Sequence, residues 1–169
     1  MNAADYINIM LRDLHGGFRA DVEALTQEQF VHQPVEGANT VAFLFWHSTR
    51  FEDLQLAGLS GSVPVWTSGG WASRLGLEAD DLGTGFSEQQ MIAFQPAKED
   101  VLAYAEAVWE ATPALVSALS AERLAEPIDP ERPRMTVGRS IANFAVGHGW
   151  LHLGEIRFAK GLMGMPFAR

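Results

Sequence analysis

Cysteine is absent from the 169-residue sequence. A disulfide framework, a thiolate metal site and a cysteine nucleophile are therefore excluded, and the absence fits a reducing compartment. The first residues, MNAADYINIMLRDLHGG, lack the basic start and long apolar run of a signal peptide. No stretch reaches the roughly 18 consecutive apolar residues that a membrane span needs. We therefore expect a cytoplasmic protein with no membrane partner.

Positive charge is also scarce. The chain has 12 lysines and arginines against 21 aspartates and glutamates, which gives a net charge of −9. A protein that wraps a nucleic-acid backbone needs clustered cations, so we expect no nucleic-acid partner. A small-molecule substrate, even an anionic one, stays compatible with this charge because a local site can differ in sign from the whole chain.

Length and hydrophobic patterning predict an all-α protein. The length suits one domain, residues 1–169, with a single core. Apolar residues at three- and four-residue steps predict four amphipathic helices, at residues 3–25, 40–56, 98–120 and 136–161. Asn39 and Thr136 are the expected N-caps, Gly161 and Gly164 the expected ends, and Pro113 should kink or shorten the third helix. No strand pattern is present, so a four-helix bundle is the natural architecture.

The connection between the second and third helices is long and rich in glycine, serine and tryptophan. Such loops are uncommon in a compact domain and are more often functional or partly structured; residues 71–76 and 87–93 could form short helices. Trp66 and Trp71 are candidates for the wall of a cofactor pocket, and Arg74 for contact with an anionic group. The alternative is that the two tryptophans form a small satellite cluster that pins the loop.

Three histidines are the candidate metal ligands. His148 and His152 are four residues apart, a spacing that turns the side-chain direction by only about 40°, so both imidazoles lie on the apolar side of the fourth helix. His47 lies on the apolar side of the second helix. Inward polar rings need partners, and a shared metal ion would satisfy all three. The ion could be zinc, nickel or iron; the alternative is three ordinary core histidines bonded to carbonyls or water.

Other polar residues near these histidines are assigned by helical direction. Glu155 is a candidate catalytic residue that could orient a histidine ring or accept a proton, or could instead pair with a nearby cation or solvent. Glu52 and Asp53 point away from the His47 side and are expected to be solvated. His15 and His32 are expected at the surface.

The two sides of the fourth helix are also predicted. The inward side is expected to carry Ile141, Phe144, Ala145, His148, Leu151, His152, Glu155, Ile156 and Ala159. The outward side is expected to carry Asn143, Trp150, Arg157 and Lys160.

Two segments of the chain resemble a known family. FLFWHSTRFEDLQL and TVGRSIANFAVGHGWLHLGEIRFAKGLMG are similar to the second and last conserved helices of the DinB/YfiT-like superfamily, in which one histidine precedes an H-x3-H pair by about a hundred residues. The resemblance implies an up-down-down-up four-helix bundle, a metal triad of His47, His148 and His152, and a homodimer. The family name refers to damage-inducible expression and does not imply DNA binding.

The resemblance also suggests a chemistry. Members of the superfamily include transferases and isomerases that use a small-molecule thiol, and a domain of iron-dependent sulfoxide synthases. The synthases place a carboxylate two residues after the second histidine, where this chain has Gly154, and they add a second large domain. These differences argue against a sulfoxide synthase. We therefore predict a metal-dependent enzyme that uses either a low-molecular-weight thiol or activated water. The alternative is a non-catalytic, dimeric module that binds a metal or a ligand.

Overall fold

Four long helices form the framework of the protein, and shorter helices lie in the connections between them. The computed structural model describes residues 1–166, and over that range it contains helices and one isolated β-bridge but no strand. The long helices are α1 (Ala3–Glu23), α3 (Val41–Ser60), α7 (Lys98–Ser117) and α10 (His148–Leu162). The short ones are α2 (Gln27–Val31), α4 (Val65–Ser68), α5 (Trp71–Leu75), α6 (Glu88–Ala93), α8 (Ala121–Ala125) and α9 (Val137–Ile141). The all-α prediction is confirmed.

Side-chain caps set the starts of both helices for which the sequence predicts an N-cap. α3 begins after Thr40, whose Oγ1 accepts a hydrogen bond from the Phe43 N–H at 3.1 Å. The prediction of Asn39 as the N-cap is therefore wrong, because the capping oxygen must come from the residue immediately before the first helical turn. Thr136 caps α9 as predicted and accepts a hydrogen bond from the Arg139 N–H at 3.2 Å.

The helices extend beyond the first proline or glycine expected to end them. α7 continues past Pro113 to Ser117, so the proline does not end the helix. α10 ends at Leu162, and Gly164 adopts the left-handed conformation with φ of 72° that favours glycine after a helix. The two short helices expected in the long connection are present as α5 and α6.

α3 is the central helix of the packing. It contacts both α7 and α10, and α1 contacts the same two helices. Residues 41–50 are all buried, as expected for a run such as VAFLFW that has no polar side. No helix within residues 1–166 is both long and apolar enough to cross a membrane.

Glu52 is buried where α3 meets α1 and α7, so the expectation that it is solvated is wrong. Its carboxylate accepts a hydrogen bond from Thr112 Oγ1 at 2.6 Å and contacts His15 Nε2 at 2.9 Å. The His15 ring stacks on Trp109 with 4.8 Å between centroids, so His15 is packed between helices and not exposed as expected. The side of α3 away from His47 faces other helices. The Glu52 carboxylate on that side is therefore buried and needs these partners.

Asp53 ties the connection after α3 to the core. It is buried, again contrary to expectation, and accepts hydrogen bonds from the backbone N–H groups of Val65 and Trp66 at 2.8 Å each. The Tyr104 hydroxyl donates a third hydrogen bond at 2.9 Å. Burial, and then the negative charge of Asp53, raise the pKa of Tyr104 well above its usual value. One carboxylate therefore joins α3, α4 and α7.

The last helix is interrupted by a π-helical turn at Ala142–Gly147, between α9 and α10. Its buried residues recur every four positions: Val137, Ile141, Ala145, Gly149 and Leu153. In an α-helix each four-residue step would turn the buried line by about 40°. In a π turn the hydrogen bonds join residues i and i+5, so each residue rotates the helix by a smaller angle. The buried residues therefore stay on one side of the helix.

This π turn explains an error in the predicted inward side. Phe144 and Leu151 were expected to face the core, but they are 37% and 59% exposed. Leu153, which was not assigned to the inward side, is fully buried. The prediction assumed uniform α-helical geometry from Ile141 onward.

Lys160 is also placed differently from the prediction, which put it on the solvent side. It is fully buried, and its Nζ donates hydrogen bonds to Asp21 Oδ1 at 2.7 Å and to the Asp21 carbonyl at 3.0 Å. Arg157 Nε donates to the other carboxylate oxygen at 2.8 Å. This buried ion-pair group joins α1 to α10.

We expect Asp21→Asn to lower the free energy of unfolding by about 3–5 kcal/mol, because it leaves the Lys160 ammonium buried without a counter-charge. The matched control is Asp13→Asn, the same change on the same helix in an exposed pair with Arg12, which should change stability by less than about 0.5 kcal/mol. Urea unfolding of both variants measures the difference. Equal stability of the two variants would show that the buried pair contributes nothing.

Candidate metal centre

His47, His148 and His152 converge on one point. Their ligand nitrogens all lie within 4.8 Å of one another. His47 comes from the middle of α3, and the other two come from the first residues of α10. The ring centroids of His47 lie 5.1 Å from those of both His148 and His152. His47 and His152 are buried and His148 is half-buried, so the cluster lies just below the surface.

Glycines allow α10 to lie close to α1, which fixes the position of its histidines. A Cβ atom on Gly149 would lie 2.3 Å from Leu14 Cδ2, and one on Gly17 would lie 2.6 Å from Leu153 Cδ2. Both distances are far below van der Waals contact, so a larger residue at either position would push the helices apart. The π turn ends immediately before His148 and sets its direction, in keeping with the frequent use of such turns at functional sites.

Hydrogen bonds orient two of the three rings. His47 Nδ1 contacts the carbonyl oxygen of Leu82, and His152 Nδ1 lies 2.5 Å from Glu155 Oε2. A carbonyl and a carboxylate only accept, so each Nδ1 carries a proton, which leaves Nε2 as the ligand atom of each ring. This is the arrangement found around metal-binding histidines, in which the second nitrogen donates to an oxygen.

The facing nitrogens bring the ligand atoms of two rings together. His148 Nε2 and His152 Nε2 are 3.0 Å apart. A contact of this length is bridged either by a proton on one of the two nitrogens or by a shared cation. His148 Nδ1 is buried and has no hydrogen-bond partner among the described residues. The three nitrogens could hold a metal ion; zinc, nickel or iron as its identity stays a prediction.

Burial keeps two of the rings neutral. It lowers the pKa of His148 to about 4, with further lowering from His152 and His47. It also lowers the pKa of His47, although the bond to Leu82 partly offsets this. Both rings are therefore in the unprotonated form that binds metal at neutral pH.

Leu82 and Gly83 were missed by the sequence reasoning. Gly83 has a φ of 79°, and a Cβ atom there would lie 2.9 Å from the Phe43 and Trp46 rings and 3.0 Å from His47 Nδ1. Only glycine lets the chain pass this close and place the Leu82 carbonyl on His47. The one signal in the sequence was the DLGTG stretch, which marks a turn but does not show what the turn contacts.

Apolar rings surround the histidines. Phe43 stacks on His47 with 5.5 Å between centroids and an interplanar angle of 8°. Phe51 lies 4.5 Å from the His148 centroid and 4.9 Å from that of His47. These rings exclude water from one side of the cluster, which strengthens electrostatic interactions there.

The candidate cofactor residues lie in a neighbouring aromatic cluster. Trp66 is buried, and its Nε1 donates to the Ala79 carbonyl at 2.9 Å. The ring centroids of Trp71 and Tyr104 are 5.5 Å apart, and the Arg74 guanidinium lies 4.0 Å from the Trp71 ring centroid. Arg74 also pairs with an aspartate of α7 at 2.8 Å. The role of these three residues in cofactor binding stays a prediction.

The fold and the site together define a class: a helical protein whose central helix and last long helix bring three histidines together. The chain belongs to the DinB superfamily, whose sequence model matches residues 11–156. That match includes all three histidines and confirms the resemblance inferred from the motifs.

One solved structure shows the same fold across almost the whole chain. It is described as the crystal structure of the conserved protein of locus from Enterococcus faecalis. The two sequences are 21% identical, and the alignment covers 97% of this chain and 99% of that one with a TM-score of 0.85. No curated protein sequence matches this chain.

The lowered histidine pKa values predict how the metal-free protein responds to acid. The unfolded chain takes up protons near the ordinary histidine pKa of 6.5, whereas folded His148 does so only near 4. The unfolded state therefore binds more protons in this window, and the free energy of unfolding should fall as the pH drops from about 6.5 to about 4. Urea unfolding of chelator-treated protein across this range measures the slope.

The control for this prediction uses two glutamine variants. His148→Gln should flatten the pH dependence, whereas His32→Gln, at an exposed histidine, should leave it unchanged. A slope that is the same in all three proteins would contradict the assignment.

Proposed function

We propose that this protein is an enzyme in which His47, His148 and His152 bind one divalent metal ion. The observation that carries the proposal is the pair of facing Nε2 atoms 3.0 Å apart, with a nitrogen of His47 beside them. Three protein ligands leave a position for water or substrate, as in catalytic sites. When bound, such an ion lowers the pKa of a coordinated thiol or water and so supplies a nucleophile at neutral pH.

The reaction class we favour is thiol transfer or isomerisation with a small-molecule thiol, with hydrolysis by water as the second form. The chain has no cysteine, so a thiol nucleophile would have to arrive with a cofactor or substrate. Trp66, Trp71 and Arg74 are our candidates for holding that molecule. We also propose that the protein acts in the cytoplasm on a small molecule.

Glu155 has two roles in this proposal. One carboxylate oxygen holds the His152 ring through Nδ1. The side chain is 44% exposed, so its carboxylate can also accept a proton from a substrate that enters from the surface. Leu82 holds His47 in the same way from the opposite side, and Phe51 shields the ring face of His148.

We infer an up-down-down-up order for the four long helices. Hydrogen bonds that support it join Asn8 to Ser117, Asp21 to Lys160, and Gln55 to Ser140. The start of α1 meets the end of α7, so these two helices run in opposite directions. The later parts of α1 and α10 meet, so these run in the same direction. The end of α3 meets α9, so α3 runs against the last helix.

A non-catalytic, dimeric metal-binding module is the second candidate function. The observation that favours it is a set of exposed apolar side chains on the outer side of α10, including Leu151, Phe158 at 69% and Leu162 at 44% exposure. A second copy of the chain could cover such a surface.

We expect the untagged protein to retain close to one divalent ion per chain after metal loading and dialysis, and the His148→Ala variant to retain none. The variant removes one of three nitrogens, and two histidines alone bind weakly. Elemental analysis measures the stoichiometry. His32→Ala, at an exposed histidine, is the matched control and should bind as the wild type does. Equal metal content in all three proteins would place the ion elsewhere.

Catalysis is tested with metal-loaded protein and a panel of electrophiles in the presence of bacillithiol, mycothiol or glutathione, with ester hydrolysis as a separate assay. We expect turnover with at least one thiol or with water. Glu155→Gln should lower the rate by roughly 10- to 100-fold, because the amide no longer holds His152 as a carboxylate does. Glu122→Gln, an exposed glutamate in α8, is the control.

The same assay separates the two candidate functions. Stoichiometric metal binding without consumption of any thiol and without hydrolysis would leave the binding module as the remaining function.

A further inference from the structure

A concave surface rich in arginine lies between α8 and α9, away from the histidines. Its volume is about 440 Å³, and it is lined by Arg132, Pro133, Arg134, Met135 and Arg139. We call it the arginine hollow. None of the three clustered histidines lines it, so it is separate from the candidate metal centre.

The loop that forms the hollow is held by its own backbone. Pro127 and Thr136 form an isolated antiparallel bridge. The Ile128 N–H donates to the Met135 carbonyl at 2.9 Å, and the Met135 N–H donates to the Arg132 carbonyl at 2.8 Å. The arginines are therefore presented on a fixed backbone, which lowers the entropy lost when a ligand binds.

Two of these arginines differ from the other described cations. The side chains of Arg134 and Arg139 make no hydrogen bond or ion pair within residues 1–166, and both are exposed. Arg132 Nε lies 3.8 Å from Asp129 Oδ2, which is too long for a hydrogen bond. The remaining described lysines and arginines all donate to a carboxylate or a backbone carbonyl.

The grouping of three arginines stands out because the chain as a whole is acidic. Three of only 12 lysines and arginines fall within eight residues, in a protein whose net charge is −9. Guanidinium groups donate paired hydrogen bonds whose geometry matches phosphate and carboxylate oxygens. A local positive site of this kind attracts anions even on an acidic protein.

We propose that the arginine hollow binds a small organic anion that carries phosphate or clustered carboxylate groups. Arg134 and Arg139 are the principal anion-binding residues, and Arg132 adds positive charge at the rim. Met135 and Pro133 offer an apolar surface for the carbon part of the ligand. The volume lies in the range of about 300–1,000 Å³ that is usual for small-molecule sites.

Isothermal titration at low ionic strength tests the proposal with two probes, pyrophosphate and citrate. We expect saturable binding of at least one probe, at least tenfold weaker in the Arg134→Ala/Arg139→Ala double variant. The matched control, Arg12→Ala/Arg19→Ala, removes the same charge from exposed, paired arginines of α1 and should bind as the wild type does. Urea unfolding checks that both double variants keep the wild-type stability.

The two probes also distinguish the ligand class. Tighter binding of pyrophosphate indicates a phosphate ester, and tighter binding of citrate indicates a polycarboxylate. The absence of saturable binding of either probe at millimolar concentration would overturn the proposal. An equal loss of affinity in both double variants would also overturn it, because binding would then follow net charge and not the hollow.

Discussion

The burial of the first half of α3, residues 41–50, on every side and of Glu52 and Asp53 after it is the constraint on which the rest of the structure depends. A helix surrounded by protein cannot leave a polar side chain without a partner, because an unpaired buried polar group is strongly unfavourable. His47 contacts the Leu82 carbonyl, Glu52 contacts α1 and α7, and Asp53 accepts three hydrogen bonds from α4 and α7. The polar residues of this helix therefore fix the positions of the helices and the loop that surround it.

The last helix packs on α3 through a local departure from α-helical geometry. The π turn before His148 and the close approach of Gly149 to Leu14 together decide where the histidine nitrogens lie. The neutral state of the rings has the same origin, since burial among apolar neighbours lowers the pKa of His47 and His148. Packing and acid–base chemistry at the candidate metal centre are thus two results of one arrangement.

Much of this protein could be predicted from the sequence. Apolar periodicity located the first three long helices to within a few residues, because it reports the side of each helix that must be buried. It predicted one helix over residues 136–161, which the structure divides into α9, the π turn and α10. The spacing of His148 and His152 placed them on one side, since four residues is close to a full helical turn. Together with His47 they also led to the family, which is shown by the match over residues 11–156.

Only the tertiary structure decided which other polar residues are buried and what they touch. Glu52, Asp53 and Lys160 were assigned to solvent by helical direction alone, but each direction is occupied by another helix. The Leu82 carbonyl meets His47 across 35 residues of sequence, and a backbone oxygen leaves no signature in a residue pattern. Periodicity determines which side of a helix is apolar, whereas the neighbours of its remaining sides depend on how all the helices pack together.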